Sequence, residues 1–177
     1  VFAQEVLKHT GYKIIYGSYA STDVYYRKPL TFHTCNPQAP ATSFVMVNDI
    51  HGDNKLLEDL MSRCNLTQTD FVLFNGDMLS FINSEDQLFK GFMDTAVRLF
   101  ASEIPMYYAR GNHETRGVFA TEIQRYFSPC QEHLYYAFRQ GPVYCIVLDT
   151  GEDKPDSDIE YAGITQYDLY RTEQSEW

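Results

Sequence analysis

Between residues 43 and 148 the chain alternates short apolar runs with segments of helical periodicity. Residues 43–48, Ser-Phe-Val-Met-Val-Asn, form a near-continuous apolar run with β-branched positions, which predicts a strand covered on both faces. Residues 53–63 follow with Leu56, Leu57, Leu60 and Met61 on one helical stripe. Residues 71–74 read as a second buried strand. The longest helix is predicted over 84–102, where Ser84 caps an acidic first turn of Glu85 and Asp86. Its Leu88, Phe92, Met93, Ala96, Val97 and Phe100 make an inward stripe that belongs to a core. Pro105 closes that unit, and 106–109 is a third strand. A shorter helix is expected over 118–126. Segments 134–139 and 143–148 read as a hairpin turning at Gln140, Gly141 and Pro142, and 173–177 as the start of a helix. The order β-α-β-α-β-α-β-β describes an α/β layered fold.

The first stretch differs. Residues 1–34 are rich in Tyr, Thr and Val, with turn signals at Gly11, Gly17 and Pro29, and predict short strands at 12–16, 24–27 and 30–34. Residues 35–42 carry two prolines among small polar residues and read as a linker. The expected organisation is a β-rich stub over 1–34, the linker, and an α/β domain over 43–177.

Composition narrows the function classes. The 177 residues are 44% apolar, enough to bury a core, and 24 acidic against 14 basic residues give a net charge of −10. Such a surface argues against bulk nucleic-acid binding, which needs a basic face to displace counterions. No apolar run reaches the 18 or so residues of a membrane span. The four cysteines, Cys35, Cys64, Cys130 and Cys145, include no C-x-x-C pair, and three disulfide pairings stay open. Cys145, inside the 143–148 run, reads as a small apolar strand residue.

Chemistry gathers where strands end. The first strand runs into Asn48-Asp49-Ile50-His51-Gly52-Asp53, the second into Asn75-Gly76-Asp77-Met78, and the third into Arg110-Gly111-Asn112-His113-Glu114. Ligands of open α/β sheets bind outside the carboxyl ends of strands, so these segments face one crevice. Carboxylate, imidazole and amide donors without thiols suit Zn, Mn or Fe. Asp49 and His51, two residues apart, point to the same side. Gly76 lets the backbone beside Asp77 approach a neighbour, and the Asp77 carboxylate could bridge two cations. Two cations about 3.5–4 Å apart share a hydroxide nucleophile and clamp a phosphoryl group. His113 is a candidate acid for the leaving oxygen. Taken singly, Asp49, Asp77 and Asn112 would cap the following helix; their convergence favours metal. Glu114 and Arg116 are read as orienting a ligand or as surface salt-bridge partners, His133 as structural, and Asp149 and Thr150 as shaping the pocket rim.

Asp49-Ile50-His51, Gly76-Asp77 and Gly111-Asn112-His113-Glu114 resemble the first three motifs of the calcineurin-like metallophosphoesterase superfamily. The wider context, with Glu152-Asp153-Lys154-Pro155 and the strand-rich segment before the linker, is similar to bacterial purple acid phosphatase-like proteins, which carry a fibronectin type III-like domain ahead of the catalytic one. The resemblance implies an αββα sandwich and a dinuclear centre. Asp49 and His51 would bind one cation, Asp77 would bridge, Asn112 would bind the second, and His113 would contact phosphate or act as the acid. It further implies a small phosphorylated substrate, phosphomonoester or diester, and an extracytoplasmic location. True purple enzymes carry Gly at the position of His51 and Tyr at that of Ser80; without that tyrosinate the expected centre is colourless. The serine/threonine phosphatase subgroup carries Asp-Arg at Ser80-Phe81, which disfavours it. The family's remaining ligands, a lone His and a Gly-His-x-His motif, do not occur: the other histidines are His9, His33 and His133. The chain is therefore expected to hold the N-terminal half of the sandwich and, alone, to bind metal weakly and turn over poorly. The rival reading is a non-catalytic binding module with a vestigial site.

Overall fold

A computed structural model describes residues 31, 32, 34, 36–127, 133–151, 154–159 and 167–177. The strands predicted at 12–16 and 24–27 lie outside the described residues. Of the strand predicted at 30–34, Thr31, Phe32 and Thr34 are described and belong to no strand; Thr31 instead donates through its backbone N–H and its hydroxyl to Glu103. Residues 36–42 are irregular apart from a turn, as their prolines require, and Thr42 ties them to the Gln140 carbonyl at 2.7 Å.

The parallel sheet consists of β1 (Phe44–Val47), β2 (Phe71–Asn75) and β3 (Met106–Ala109), in the order β1-β2-β3. A separate antiparallel pair, β4 (Tyr136–Gln140) and β5 (Val143–Val147), is the predicted hairpin. On one face of the parallel sheet lie α1 (Asn54–Ser62), capped by the Asp53 carboxylate on the Leu56 N–H, and α2, continuous over residues 85–101. Leu57, Met61, Val72, Phe74, Leu88, Phe92 and Phe100 fill the space between. The β4–β5 pair covers the other face through an aromatic layer. Phe138 stacks on Tyr107 with centroids 3.7 Å apart and meets Phe71 edge-on at 5.5 Å. Tyr136 crosses to the outer edge of β3, its hydroxyl accepting from the Tyr108 N–H and donating to the Tyr108 carbonyl. This is a mixed α/β architecture with helices on one side of a parallel sheet and a second sheet on the other, consistent with a metallophosphoesterase fold.

Several local expectations change. The central strand β2 is buried on both faces, but Phe44 and Met46 of β1 are exposed, because β1 is an edge strand and the aromatic cover stops at Phe71. Helix α2 is α-helical at Glu85–Leu88 and Asp94–Ala96 but π-helical at Phe89–Met93 and Val97–Ala101. With the wider i→i+5 turns the fully buried apolar positions are Leu88, Phe92, Ala96 and Phe100, with Thr95 buried beside them, and Val97 faces outward. The helix predicted over 118–126 is a 3₁₀ turn, Ala120–Ile123, followed by α3 (Gln124–Phe127). Residues 173–176 lie within a helix that begins at Tyr167 rather than starting one. That helix, α4 (Tyr167–Glu176), is fastened by polar contacts that leave no apolar period: Tyr170 accepts from the Leu134 N–H, and the Gln174 amide pairs with both backbone groups of Asp149. Among the described residues no helix is long and apolar enough to cross a membrane.

Candidate metal centre

Because β1, β2 and β3 are parallel, the three motif loops emerge at one edge of the sheet. The first two continue to pair beyond the strands: Asp49, His51 and Gly52 donate their N–H groups to the carbonyls of Gly76, Asp77 and Met78 at 3.1, 3.0 and 2.8 Å. This pairing holds three residues in left-handed backbone conformations, Asp49 (φ 58°), His51 (φ 50°) and Asp77 (φ 55°). Such conformations are unfavourable for residues with a Cβ and persist where surrounding bonds over-determine them. Among the described non-glycine residues, the three with positive φ are three of the expected ligands.

Two glycines bring the second and third loops together. A Cβ on Gly76 would lie 2.7 Å from the Gly111 Cα, and one on Gly111 would lie 2.2 Å from Asp77 Oδ1. That close approach lets Asp77 Oδ1 accept the His113 N–H at 3.1 Å. The neighbour expected to need Gly76 is thus Gly111.

His51, Asp77 and His113 each offer a ligand atom, and these atoms lie within 4.8 Å of one another. The two imidazoles meet edge to face at 4.6 Å between centroids. Ser80 orients both, with its Oγ 3.2 Å from His51 Nδ1 and its carbonyl 3.0 Å from His113 Nδ1. Nδ1 of His113 faces this carbonyl acceptor and also the Arg116 guanidinium donor, so either tautomer finds a partner there, and Nε2 is the ring nitrogen that neither group engages. Arg116 Nη1 lies 3.3 Å from the same His113 ring. Asp49 sits at the solvent side, its Oδ1 3.7 Å from His51 Nε2 and its other oxygen accepting from Asn48. Asn112, half-buried, heads the 3₁₀ turn His113–Thr115, its carbonyl accepting from Thr115. All five expected site residues therefore stand on the three loops at one sheet edge, with His51, Asp77 and His113 as the tight set. Two imidazoles and a carboxylate, with His51 and Asp77 on left-handed backbones and Ser80 beside both rings, fit a borderline divalent cation.

Sequence reasoning named the groups that hold this arrangement but not their burial or their partners. Glu114 makes no surface salt bridge: it is fully buried, and its carboxylate accepts from the N–H groups of Asp77 (2.9 Å), Leu79 (2.8 Å) and Gly111 (3.0 Å). Burial pushes its pKa up, the three N–H bonds pull it back, and the net lies above the ordinary carboxylate value. Asp149 does not shape a rim. It forms a bidentate, buried ion pair with Arg110, at 3.0 and 2.8 Å, under the rings of Tyr167 and Tyr170. Burial works against the Arg110 charge, and Asp149 more than offsets it, keeping the guanidinium charged. This pair ties the third loop to the end of β5. No local pattern marks either acid as buried; both stand beside polar residues in the sequence. His133 is structural as expected, stacked on Tyr135 at 4.7 Å.

No curated protein matches the chain. The sequence model of the calcineurin-like phosphoesterase family matches residues 42–176, which takes in all three motif loops, both sheets and α4. With that match over most of its length, the chain belongs to the calcineurin-like phosphoesterase family.

Proposed function

We propose that this domain carries the metal site of an enzyme that hydrolyses small phosphomonoesters or diesters with the help of cations held at the strand-end cluster. The observation that carries the reading is the convergence of His51, Asp77 and His113 within 4.8 Å, on backbones held left-handed at two of the three. Asp49 and His51 would hold one cation, with Asp77 beside them, and Asn112 would serve a second. Mn, Fe and Zn all suit these donors. A bound cation supplies an acidified water and polarises a phosphoryl oxygen.

The chain's own residues do the rest. Asp77, fixed by the His113 N–H and by Glu114 on its own N–H, presents its carboxylate without reorganisation. His113, held at Nδ1 by the Ser80 carbonyl and Arg116, gives a proton from Nε2 to the departing oxygen when its ring is protonated. The same atom is placed to ligate a cation, and a His113→Asn variant separates the roles: a ligand loses metal affinity, an acid loses kcat at unchanged affinity. The finer likeness to purple acid phosphatase-like proteins, and the extracytoplasmic location it implies, enter the proposal from the sequence motifs alone.

The test is turnover of p-nitrophenyl phosphate and its bis ester by Mn-loaded protein, beside Asp77→Asn, with Mn uptake followed by calorimetry. Turnover lost in Asp77→Asn supports the reading. Tight Mn uptake without any turnover of either ester favours a binding module instead, whereas weak uptake with slow turnover is the expected result.

A further inference from the structure

Beside the cluster lies a cleft of about 330 Å³ lined by His51, Leu79, Ser80, Phe81, Gln87, Lys90 and Gly91. It begins where the site ends, because His51 belongs to both. Its base exists because residue 91 is glycine within the first π turn of α2: a Cβ there would stand 2.2 Å from Leu79 Cδ2. Asn54 at the start of α1 holds that turn through the Lys90 carbonyl at 2.7 Å. Leu79 is buried, whereas Phe81 keeps 48% of its surface exposed at the mouth. At the rim, Gln87 has its oxygen taken by the Asn83 N–H, which leaves the amide's NH₂ as its donor, and the Lys90 ammonium is paired with Asp86.

We propose that this cleft is the subsite for a flat aromatic ring on the alcohol side of the phosphoester, with Phe81 as the stacking wall. The inference rests on the phosphoesterase reading above. A phosphoryl group at the His51–Asp77–His113 cluster places its ester substituent next to His51, at the entrance of the cleft. Leu79 and Phe81 offer an apolar floor and a ring face, and an exposed aromatic wall binds flat rings by stacking. The volume lies at the small end of ligand pockets, about 300–1,000 Å³, so it admits one ring system and not a polymer. An aryl alcohol and a nucleobase share this chemistry.

The experiment compares methylphosphonate, phenylphosphonate and the methylenephosphonate analogue of adenosine monophosphate on Mn-loaded protein by calorimetry, with a fluorophenylphosphonate followed by ¹⁹F NMR on metal-free protein. Phenylphosphonate is expected to bind about tenfold tighter than methylphosphonate. Phe81→Ala, at an exposed position that leaves the fold intact, should remove most of that gain; Phe81→Trp should keep it, and ¹⁹F broadening should follow the same order. A gain with the adenosine analogue alone identifies a nucleobase, and a gain with phenylphosphonate identifies an aryl group. Equal binding of all three probes, or a gain that survives Phe81→Ala, overturns the subsite and leaves the phosphoesterase reading standing. Absence of both Mn and methylphosphonate binding overturns that reading and the subsite with it.

Discussion

Glu114→Gln separates the shape of the buried clamp from its hydrogen bonding. The Gln oxygen can stay with the N–H groups of Asp77 and Gly111, which now share one carboxylate oxygen. Its NH₂ must then face the Leu79 N–H, which donates at 2.8 Å in the native protein, donor against donor. One bond to a charged acceptor is lost, about 1.5–3 kcal/mol, and two weaken; relief from burying a charge offsets part of this. A net destabilisation of about 2 kcal/mol is expected, small enough for a domain of ordinary stability to stay folded. Loosening the Asp77 N–H also frees a left-handed residue to relax, so Mn affinity should fall about tenfold or more. Urea unfolding of the metal-free protein and calorimetric Mn titration read the two effects separately. Glu114→Ala, which orphans three N–H groups at about 1–3 kcal/mol each, should be worse on both. A Glu114→Gln protein that unfolds at the native urea midpoint and binds Mn with unchanged affinity would refute the clamp.

Three further outcomes are expected. Gly111→Ala puts a Cβ 2.2 Å from Asp77 Oδ1, so it should destabilise by about 1–3 kcal/mol and sharply weaken Mn uptake, measured by the same pair of assays. Cutting the buried ion pair with Asp149→Asn should lose about 3–5 kcal/mol in urea unfolding, whereas the double change Arg110→Met with Asp149→Leu should recover more than half, since no charge is then left unpaired. Tyr136→Phe should lose about 2 kcal/mol at neutral pH with its two bonds to Tyr108. Burial pushes the Tyr136 pKa from 10.0 up to about 12, so its contribution is complete below pH 10 and fades as pH rises through about 12; urea unfolding across that window should show a shallower alkaline decline in the Phe variant.

The layout of the domain was legible because hydrophobic burial leaves a periodic trace. Val72 and Phe74, buried between two layers, sit in an unbroken apolar run, and Leu88, Phe92, Ala96 and Phe100 repeat along one helical face. The candidate ligands Asp49, His51, Asp77 and Asn112 and the candidate acid His113 could be picked out because each lies beyond the end of such a run, and parallel strands bring those ends to one edge. What stayed hidden depends on contacts distant in sequence. Glu114 looks like a surface acid until the loops carrying Asp77 and Leu79 fold around it, 37 and 35 residues away. Asp149 is recognisable only with Arg110 across 39 residues. The π turns of α2 escaped because an apolar stripe at three and four positions fits an α-helix equally well, and only exposed Val97 betrays the wider turn. Helix α4 escaped because its attachments, Tyr170 and Gln174, are polar.

Ser80 meets one histidine with its side chain and the other with its backbone, and it also lines the cleft next to Phe81. Its two contacts therefore respond differently to substitution. Ser80→Ala deletes the hydroxyl that faces His51 yet leaves the carbonyl that fixes His113, so the chain carries one ligand that evolution can retune by a point change and one that it can alter only by moving the main chain. Loop changes selected for a new ring at Phe81 would shift that main chain, and with it the orientation of His113. Substrate range and metal preference in this domain should consequently drift together, and a directed-evolution lineage chosen for one should be screened for the other.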